Sequence, residues 1–301
     1  MPETAAAAEL YSALEKTARM LDAPCSRERV WPILTTFGDV IDQAVIALRV
    51  ATGARSGEFN CHFMMLPVDP YERAVANGLV PQTEHPIGAL LSDIAKHCPV
   101  DSYGVDFAVK GGFKKTWAIF PGDGLQETAT LAGIPSMPES LAGNLDFFAR
   151  HGLAENVSLV GLDYGSKTVN LYFGALPDGL LEAQNIRAVV GELGLPEPSE
   201  QMLRLAKEAF GVYTTLRYDS PAIERFCFSV MTPDPSALPV ALDPAIEQFL
   251  REVPYDAAGR KLFYAAISAT EGEFYKVQTY YQWQDRTLNI MQLSSTGQES
   301  A

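Results

Sequence analysis

Two hydrophobic patterns take turns along the chain: a helical period, and a strict alternation of apolar and polar residues that comes in closely spaced pairs. Alternation is typical of a strand with two different faces, and a short gap between two such segments predicts an antiparallel hairpin. Five hairpins are predicted, with strands at residues 44–51 and 56–67, 102–109 and 114–120, 157–164 and 168–174, 212–218 and 223–231, and 262–269 and 274–283. Helices are predicted at residues 9–21, from 26 onward, and at 70–77, 87–97, 123–132, 138–151, 180–193, 199–209 and 244–253. We expect the tail, residues 294–300, to be frayed.

The order of these segments is a unit of helix, hairpin and helix, used about five times. Ten antiparallel strands with covering helices fit an open sheet or a closed barrel, and closure removes exposed edges. The apolar face of each hairpin suits packing beneath helices, as with Phe59, Cys61, Phe63 and Met65. The opposite faces are polar and aromatic. We therefore predict an α+β fold: a closed antiparallel ten-stranded β-barrel with a polar lumen, surrounded by helices, in a single domain over residues 1–301.

Four basic residues share the inward face, each on a different hairpin: Arg49, Lys115, Arg225 and Lys276. Strand alternation sends Lys114, next to Lys115, the opposite way. Desolvated like charges repel strongly, so we expect such a cluster to be tolerated only if an anion joins it. A diphosphate fits, because arginine and lysine are the usual phosphate-binding residues.

Aromatic side chains share this lumen: Trp117, Tyr172, Phe210, Tyr213 and Tyr280. One explanation is the ordinary filling of a barrel interior. The other is that the rings enclose an allylic cation by cation–π attraction and exclude the water that would hydrolyse it. His62 is interpreted either as a hydrogen-bonded histidine of the lumen or as a substrate contact or proton acceptor.

Composition narrows the function classes. The formal net charge of −14 argues against nucleic acid or an anionic membrane surface as a partner. No apolar run approaches the ~20 residues of a membrane span. Four cysteines without CxxC spacing are typical of reduced thiols, so we predict a cytoplasmic location and no zinc site. The sequence also lacks a GxGxxG segment and the acidic DDxxD run that binds magnesium diphosphate.

Seven segments spread over nearly the whole chain carry a family resemblance: CSRERVWPILTTFGD, GGFKKTWAIFP, IPSMPESLAGNLDFFARHGL, DYGSKTVNLYF, VYTTLRYD, ERFCFSVM and EFYKVQTYY. Together they resemble the bacterial aromatic prenyltransferases of the ABBA, or PT-barrel, fold (the NphB and CloQ family). The resemblance implies repeated αββα units that close a ten-stranded barrel. Its lumen would bind a prenyl diphosphate beside an electron-rich aromatic compound.

The resemblance also implies roles for individual positions. It matches four residues to diphosphate contacts, which we predict to be catalytic: Lys115, Arg225, Lys276 and Tyr213. It places Asn170 close to them and Trp117 along the prenyl chain. It matches five residues to the acceptor side: Ser158, Phe210, Gly211, Tyr172 and Tyr280. The predicted substrate-binding set is completed by Arg49, Asn60, His62 and Thr168.

Four positions depart from the family pattern, and one of them is Arg49, which stands where the metal-dependent member has a small polar residue. Asn60 stands where the metal-dependent member has a magnesium-binding aspartate, and a neutral amide is a poor magnesium ligand by comparison. Our hypothesis is that the Arg49 guanidinium supplies the missing charge, so that no metal or other cofactor is required. Gly211 replaces a serine, which puts a hydrogen bond to the acceptor in doubt, and Ser166 replaces a lysine.

We therefore predict an aromatic prenyltransferase of secondary metabolism that works by electrophilic aromatic substitution. The expected donor is dimethylallyl or geranyl diphosphate, and the expected acceptor is a hydroxynaphthalene such as flaviolin or a related phenol. The expected partners are these small molecules alone, and the expected state is a monomer. Two alternatives stay open: a non-catalytic barrel carrier of apolar ligands, and an enzyme that hydrolyses or cyclises a prenyl diphosphate.

Overall fold

The computed structural model describes residues 5–234 and 243–284, so the predicted frayed tail lies outside the described residues. Ten strands form one closed barrel: β1 Val45–Ala51, β2 Phe59–Leu66, β3 Ser102–Ala108, β4 Gly112–Ile119, β5 Val157–Asp163, β6 Thr168–Phe173, β7 Ala209–Arg217, β8 Arg225–Thr232, β9 Lys261–Ser268 and β10 Gly272–Gln282. Each strand pairs antiparallel with the next along the chain, and β1 closes the barrel against β10. The predicted ten-stranded closed barrel is confirmed.

The helices cover the outside of the barrel. They are α1 Ala5–Met20, α2 Arg27–Thr36, α3 Pro70–Ala76, α4 Ile87–His97, α5 Thr128–Ala132, α6 Glu139–Gly143, α7 Leu145–Arg150, α8 Ala183–Glu192, α9 Glu200–Ala206 and α10 Pro244–Glu252. In α4 the buried residues recur at helical spacing, at Ile87, Leu90, Leu91 and Ile94, so one stripe faces the barrel. Within the described ranges, none of these helices is long and apolar enough to cross a membrane.

The main core lies between the helices and the outer face of the barrel. Large aromatic residues from the strands are fully buried there, among them Phe63, Phe107, Phe226 and Phe263. Phe63 and Phe226 belong to the apolar faces that the alternation predicts to pack under helices. The opposite faces are therefore free to line the lumen with polar and aromatic groups.

Three predicted helices are wrong in extent. The helix expected at residues 199–209 ends at Ala206, because β7 begins at Ala209. The helix expected at residues 123–132 forms only as α5, because Gln126 pairs with Val157 in an isolated antiparallel bridge. The helix expected at 138–151 is divided into α6 and α7 at Asn144. The side-chain Nδ2 of Asn144 donates to the carbonyl oxygens of Ser140, at 2.7 Å, and Pro221, at 2.8 Å. Tertiary hydrogen bonds thus override the helical period.

Three strand irregularities put neighbouring residues on the lumen side. Met65 is predicted to pack under helices, but it lines the lumen, because the register of β2 with β3 shifts after Phe63. The backbone at Met65 has φ of 65°, a left-handed value that few side chains adopt. Similar shifts near Ser158 in β5 and near Gly211 in β7 let two consecutive residues reach the lumen.

The barrel has two different ends. The strands of each hairpin are joined at one end by short connections, such as residues 164–167 and 269–271, and we term this the turn end. Helix-containing segments join successive hairpins at the other end, which we term the helix end. A residue's place along its strand therefore tells which end it occupies: Arg225 begins β8 at the turn end, and Leu262 lies at the helix end of β9.

Candidate active site

Lys115 lies toward the turn end of β4, in register between Asp106 of β3 and Asp163 of β5. Its Nζ is 3.9 Å from Asp163 Oδ2, and only 13% of its side chain is exposed. Burial lowers the pKa of Lys115 to about 8, against the attraction of the two carboxylates. Lys114 faces the other way, with its Nζ 3.9 Å from Glu58, as alternation predicts.

Arg49 connects two polar groups inside the barrel. Its Nη2 donates to Asp106 Oδ2 at 2.8 Å. With the amide of Asn60 turned so that its oxygen faces Arg49, Asn60 accepts from the same Nη2 at 3.1 Å and donates to the Phe59 carbonyl. Burial opposes the charge of Arg49, but Asp106 and nearby tyrosines outweigh it and raise its pKa. Arg49 is therefore a permanent cation of the lumen.

Arg225 is held by a carboxylate from the β9–β10 turn. Its Nη2 donates to Glu271 Oε2 at 3.1 Å, and Glu271 Oε1 accepts from Arg55 Nε at 2.9 Å. Both guanidinium groups lie over the ring of Phe274, at 5.3 Å and 4.9 Å from its centroid. Burial opposes the charge of Glu271, but Arg55 and Arg225 lower its pKa overall, so it remains an anion.

Lys276 is buried and differs from the other three basic residues. Within the described residues no carboxylate forms an ion pair with it, and its Nζ contacts the Tyr213 hydroxyl at 3.4 Å and the Phe274 ring at 5.3 Å. Burial lowers its pKa well below the usual value, and Arg49 and Arg225 act in the same direction. An ammonium in this position gains more than the other cations from an added anion.

The premise that a diphosphate alone makes the cluster tolerable is wrong. Three carboxylates of the chain already balance three of the four cations: Asp106 for Arg49, Asp163 for Lys115, and Glu271 for Arg225. Alternation within one strand does not show this balance, because the register between strands brings Asp106 and Asp163 beside Lys115. The uncompensated charge is concentrated at Lys276, with Arg55 as a fifth cation nearby.

A cavity of about 160 Å³ occupies the lumen toward the helix end. Its lining is mainly apolar and aromatic and includes eight of the predicted site residues: Arg49, His62, Trp117, Ser158, Tyr172, Phe210, Gly211 and Tyr280. Sequence reasoning missed Tyr264, Met64 and Leu262 in this lining. Inward alternation along β9 is the signal that points to Tyr264.

Trp117 lies against the barrel wall because the residues opposite it have no side chains. It is in register with Gly104 of β3 and Gly161 of β5. A Cβ on Gly161 would come within 2.8 Å of the indole Nε1, and one on Gly104 within 2.9 Å of the indole Cε3. The indole Nε1 donates to the Tyr172 hydroxyl at 3.3 Å, which fixes the tilt of both rings.

Tyrosines connect the cavity to the cation cluster. The rings of Tyr172 and Tyr213 lie 4.7 Å apart, and Tyr213 contacts Lys276. Burial raises the pKa of both tyrosines, and that of Tyr280 to about 12, so all three hydroxyls stay protonated and can donate. This arrangement brings the predicted Tyr213 next to a predicted cation, as the resemblance implies.

Two more predicted site residues form hydrogen bonds within the wall of the barrel. Asn170 accepts from Thr215 Oγ1 at 2.9 Å and its Nδ2 is 3.4 Å from the Tyr172 hydroxyl. Thr168 exchanges a hydrogen bond of 2.9 Å with Ser166 in the turn. Both residues lie toward the turn end of β6 and are outside the lining of the cavity.

The acceptor side holds Ser158 and Gly211. The hydroxyl of Ser158 donates to the backbone carbonyl of Tyr172 at 3.1 Å, which leaves its oxygen free to accept. A Cβ on Gly211 would lie 2.9 Å from the carbonyl oxygen of Phe173. The serine that the family has at this position therefore does not fit this backbone without a shift.

In the portions of the chain that the structure describes, no group of three His, Cys, Asp or Glu side chains is arranged to hold a metal ion. Asn60 stands where the resemblance implies a magnesium ligand. Its amide oxygen and Oδ2 of the neighbouring Asp106 both accept hydrogen bonds from Arg49. The four cysteines are free thiols.

The architecture is similar to that of solved prenyltransferase structures. The crystal structure of prenyltransferase PriB with L-tryptophan and dimethylallyl thiolodiphosphate superposes with a TM-score of 0.57. The match covers 92% of this chain and 96% of PriB at 11% sequence identity. At this identity the likeness concerns the fold, so the barrel and its helices have the architecture of a barrel prenyltransferase.

Sequence comparison gives the family. Residues 5–290 match the family described as aromatic prenyltransferase Orf2. The flaviolin linalyltransferase of Streptomyces virginiae is 52% identical over 96% of this chain and 97% of its own. The 5,10-dihydrophenazine-1-carboxylate 9-dimethylallyltransferase of Streptomyces anulatus is 48% identical over 97% and 98%. The chain belongs to this family and is an aromatic prenyltransferase, which confirms the predicted resemblance and reaction class.

Proposed function

We propose that this prenyltransferase moves a dimethylallyl or geranyl group from its diphosphate to an electron-rich phenolic acceptor, with hydroxynaphthalenes as the preferred class. One observation carries the proposal: a buried ammonium without an acidic partner, Lys276, lies beside an aromatic cavity in the same lumen. Two relatives at about half identity support the substrate classes, since one is named for a dimethylallyl group and the other for flaviolin.

In the proposed complex the diphosphate lies at the turn end. Lys276 and Lys115 contribute ammonium groups, Arg225 a guanidinium group, and the protonated Tyr213 hydroxyl a neutral donor. As the bond between carbon and oxygen breaks, negative charge grows on the leaving group. Preoriented cations stabilise this charge more in the transition state than in the bound substrate, which is the main source of rate.

The allylic cation then lies next to the aromatic cavity. Trp117 and Tyr172 offer ring faces on the side of the cavity nearest the cations. The acceptor occupies the helix-end side, near Phe210, Ser158 and Tyr280. A ring carbon of the acceptor attacks the first or third carbon of the cation, and positioning in a water-poor cavity favours this attack over hydrolysis.

Metal independence is part of the proposal. Arg49 holds Asn60 and Asp106 from inside the lumen, where it brings a permanent positive charge to the position that the resemblance gives to magnesium. A fixed guanidinium does not need a carboxylate-rich cage, and an amide such as Asn60 is compatible with it. The expected result is full turnover in excess EDTA.

The test is a product assay. The purified protein is incubated with dimethylallyl or geranyl diphosphate and a panel of hydroxynaphthalenes, with EDTA or with magnesium, and prenylated products are detected by mass. Product in EDTA supports the proposal in full. Product only with magnesium contradicts the role of Arg49, and no product from any hydroxynaphthalene contradicts the acceptor class.

The same assay distinguishes aromatic transfer from hydrolysis or cyclisation of the prenyl diphosphate. We expect release of diphosphate to depend on the acceptor, because the cation forms productively only when the acceptor fills the cavity. Release at the same rate without an acceptor contradicts aromatic transfer as the main reaction. Membership in the family removes the non-catalytic carrier.

We further propose a cytoplasmic monomer with a single domain over residues 1–301. The four free thiols and the barrel that runs from β1 to β10 support this. Light scattering of the purified protein tests the oligomeric state: a mass of one chain is expected, and a mass of two contradicts it.

A further inference from the structure

His62 is a buried histidine whose polar atoms lack partners. Only 3% of its surface is exposed, it lines the cavity, and within the described residues neither ring nitrogen makes a hydrogen bond. Asp106 Oδ1, also unpartnered, is 3.5 Å from His62 Nδ1. Buried polar atoms without partners are rare in folded proteins, and they call for a physical explanation.

Aromatic substitution needs a proton acceptor. After the prenyl carbon bonds to the ring, that ring carbon carries both the new group and its original hydrogen, and the ring is positively charged. We infer that His62 is the base that takes this proton, and that Asp106 is the positioning residue that orients it. The inference rests on the proposed function, since it needs an aromatic acceptor in the cavity.

The position of Asp106 determines which ring nitrogen of His62 accepts the proton. The Oδ1 atom of Asp106 favours a proton on the nearer nitrogen, Nδ1, while Oδ2 is taken by Arg49. The lone pair of Nε2 then points away from Asp106. The separation of 3.5 Å is long for a hydrogen bond, and such contacts shorten when the histidine becomes charged during reaction. A carboxylate in this place stabilises the imidazolium without taking its proton.

The charges of the lumen suit this role. Burial and the cations Arg49, Lys115 and Lys276 lower the pKa of His62 to about 3, so the imidazole is neutral before reaction. A neutral imidazole of low basicity still accepts from a cationic ring intermediate, because that intermediate is a far stronger acid. Its charge is then balanced by Asp106 and by the released diphosphate.

Other side chains of the cavity suit the role less well. The hydroxyls of Tyr172, Tyr264 and Tyr280 are protonated because burial raises their pKa. Arg49 has no acceptor atom, and the indole of Trp117 donates only. Among the described lining residues, His62 alone offers a nitrogen lone pair.

The step balances without a further reagent. The bond between the ring carbon and its hydrogen breaks, its electron pair restores the aromatic ring, and the proton forms a bond to Nε2 of His62. The imidazolium later gives the proton to diphosphate or to solvent when the products leave. The net reaction exchanges one ring proton for the prenyl group.

The experiment measures turnover with ordinary and ring-deuterated dihydroxynaphthalene under saturating donor. His62→Gln is expected to lower kcat by about 10²-fold, the usual contribution of a general base. Proton removal then limits the rate, so His62→Gln shows a primary isotope effect on kcat that is larger than in the wild type. His97→Gln is the matched control, because His97 is exposed at the end of α4, and it keeps wild-type turnover without a new isotope effect.

Folding is checked by binding of dimethylallyl thiolodiphosphate, and the smaller His62→Asn replaces His62→Gln if the latter does not bind it. Wild-type turnover in a variant that binds the analogue overturns the inference, and water or diphosphate is then the base. Lower turnover without an isotope effect also overturns it, because this result marks a positioning role. Failure of the proposed function looks different: the wild-type protein itself then gives no prenylated naphthalene.

Discussion

The two ends of the lumen are built on opposite principles. Toward the turn end, four cations, Arg55, Lys115, Arg225 and Lys276, lie with the carboxylates Asp163 and Glu271, and three of the four cations form ion pairs. Toward the helix end, rings and aliphatic side chains line a cavity in which Arg49 is the only permanent cation among the described lining residues. One end is prepared for an anion and the other for an apolar, electron-rich body.

This difference shows which part of the fold is destabilised in the empty protein. A buried lysine without a counter-ion costs free energy in the empty protein, either as a desolvated ammonium or through loss of its proton, and Lys276 is in this situation. The aromatic end has no such cost, since its groups pack against one another. The empty barrel is thus least stable at the place where we propose that the substrate contributes the missing charge.

The largest expected effect on turnover comes from removing the amine of Lys276, which has no acidic partner among the described residues. Lys276→Met is expected to lower kcat/KM for the donor by about 10²- to 10³-fold, as for the loss of one preoriented electrostatic contact. The same change should raise the free energy of unfolding, because it replaces a desolvated cation by an apolar side chain of similar length. Steady-state kinetics and urea unfolding measure the two effects.

Lys114→Met is the control for Lys276→Met, since Lys114 is on the outer face and pairs only loosely with Glu58. Lys114→Met should leave kcat/KM for the donor and the free energy of unfolding close to their wild-type values. If Lys276→Met is fully active, or if it is less stable than wild type, the contrast between the two ends is wrong.

A pH profile sharpens the same contrast. Because burial lowers the pKa of Lys115 to about 8, this lysine loses its charge as the pH rises through 8. The lowered pKa of Lys276 contributes in the same direction. We expect kcat/KM for the donor to fall above pH 8, by up to about tenfold per pH unit for each lysine that loses its charge, since this ratio reports the free enzyme. The acceptor must be a phenol ether that does not ionise in this range.

Lys115→Arg is the variant that checks the assignment of the pH profile. An arginine keeps its charge throughout, so the fall above pH 8 should become shallower. An unchanged profile in Lys115→Arg, or a flat wild-type profile up to pH 9.5, would contradict a lysine with a lowered pKa at the turn end.

The smallest expected effect concerns the wall of the cavity. Gly161→Ala places a methyl group 2.8 Å from the indole Nε1 of Trp117, so the ring must move. We expect a loss of about 1–3 kcal/mol in the free energy of unfolding, the usual cost of overpacking, and a several-fold lower kcat. Tryptophan fluorescence should shift at the same time.

Gly191→Ala is the control for Gly161→Ala, because Gly191 lies in α8 and an added Cβ meets nothing within 4 Å. It should stabilise the protein by up to about 1 kcal/mol through helix propensity. Equal effects of the two substitutions would show that Trp117 does not depend on the glycines beside it.

Much of the fold follows from the sequence pattern. Strict alternation and short gaps identify all five hairpins. A closed barrel covered by helices then buries the apolar face of each hairpin and turns its polar face toward the lumen. The convergence of Arg49, Lys115, Arg225 and Lys276 follows from the same alternation. The strand irregularity at Met65 does not, because one inserted residue reverses the faces beyond it.

Two features of the site depend on contacts between strands, which alternation within one strand does not reveal. Gly104 and Gly161 matter only because the register sets them opposite Trp117. Asp106 looks like an isolated acid in an apolar strand until the fold places it between Arg49 and His62. The pairing of acids with cations is therefore the part of the site that needed a structure.

The central claim is that the turn end binds the diphosphate of the donor with its own cations. The most direct measurement is calorimetric titration with dimethylallyl thiolodiphosphate at pH 8.5 in EDTA, in buffers of different ionisation enthalpy. Partly deprotonated lysines gain protons when an anion raises their pKa, so binding should occur without metal and with net proton uptake, which Lys276→Met and Lys115→Arg each reduce. Binding that requires magnesium, or proton uptake that neither substitution changes, would contradict the account.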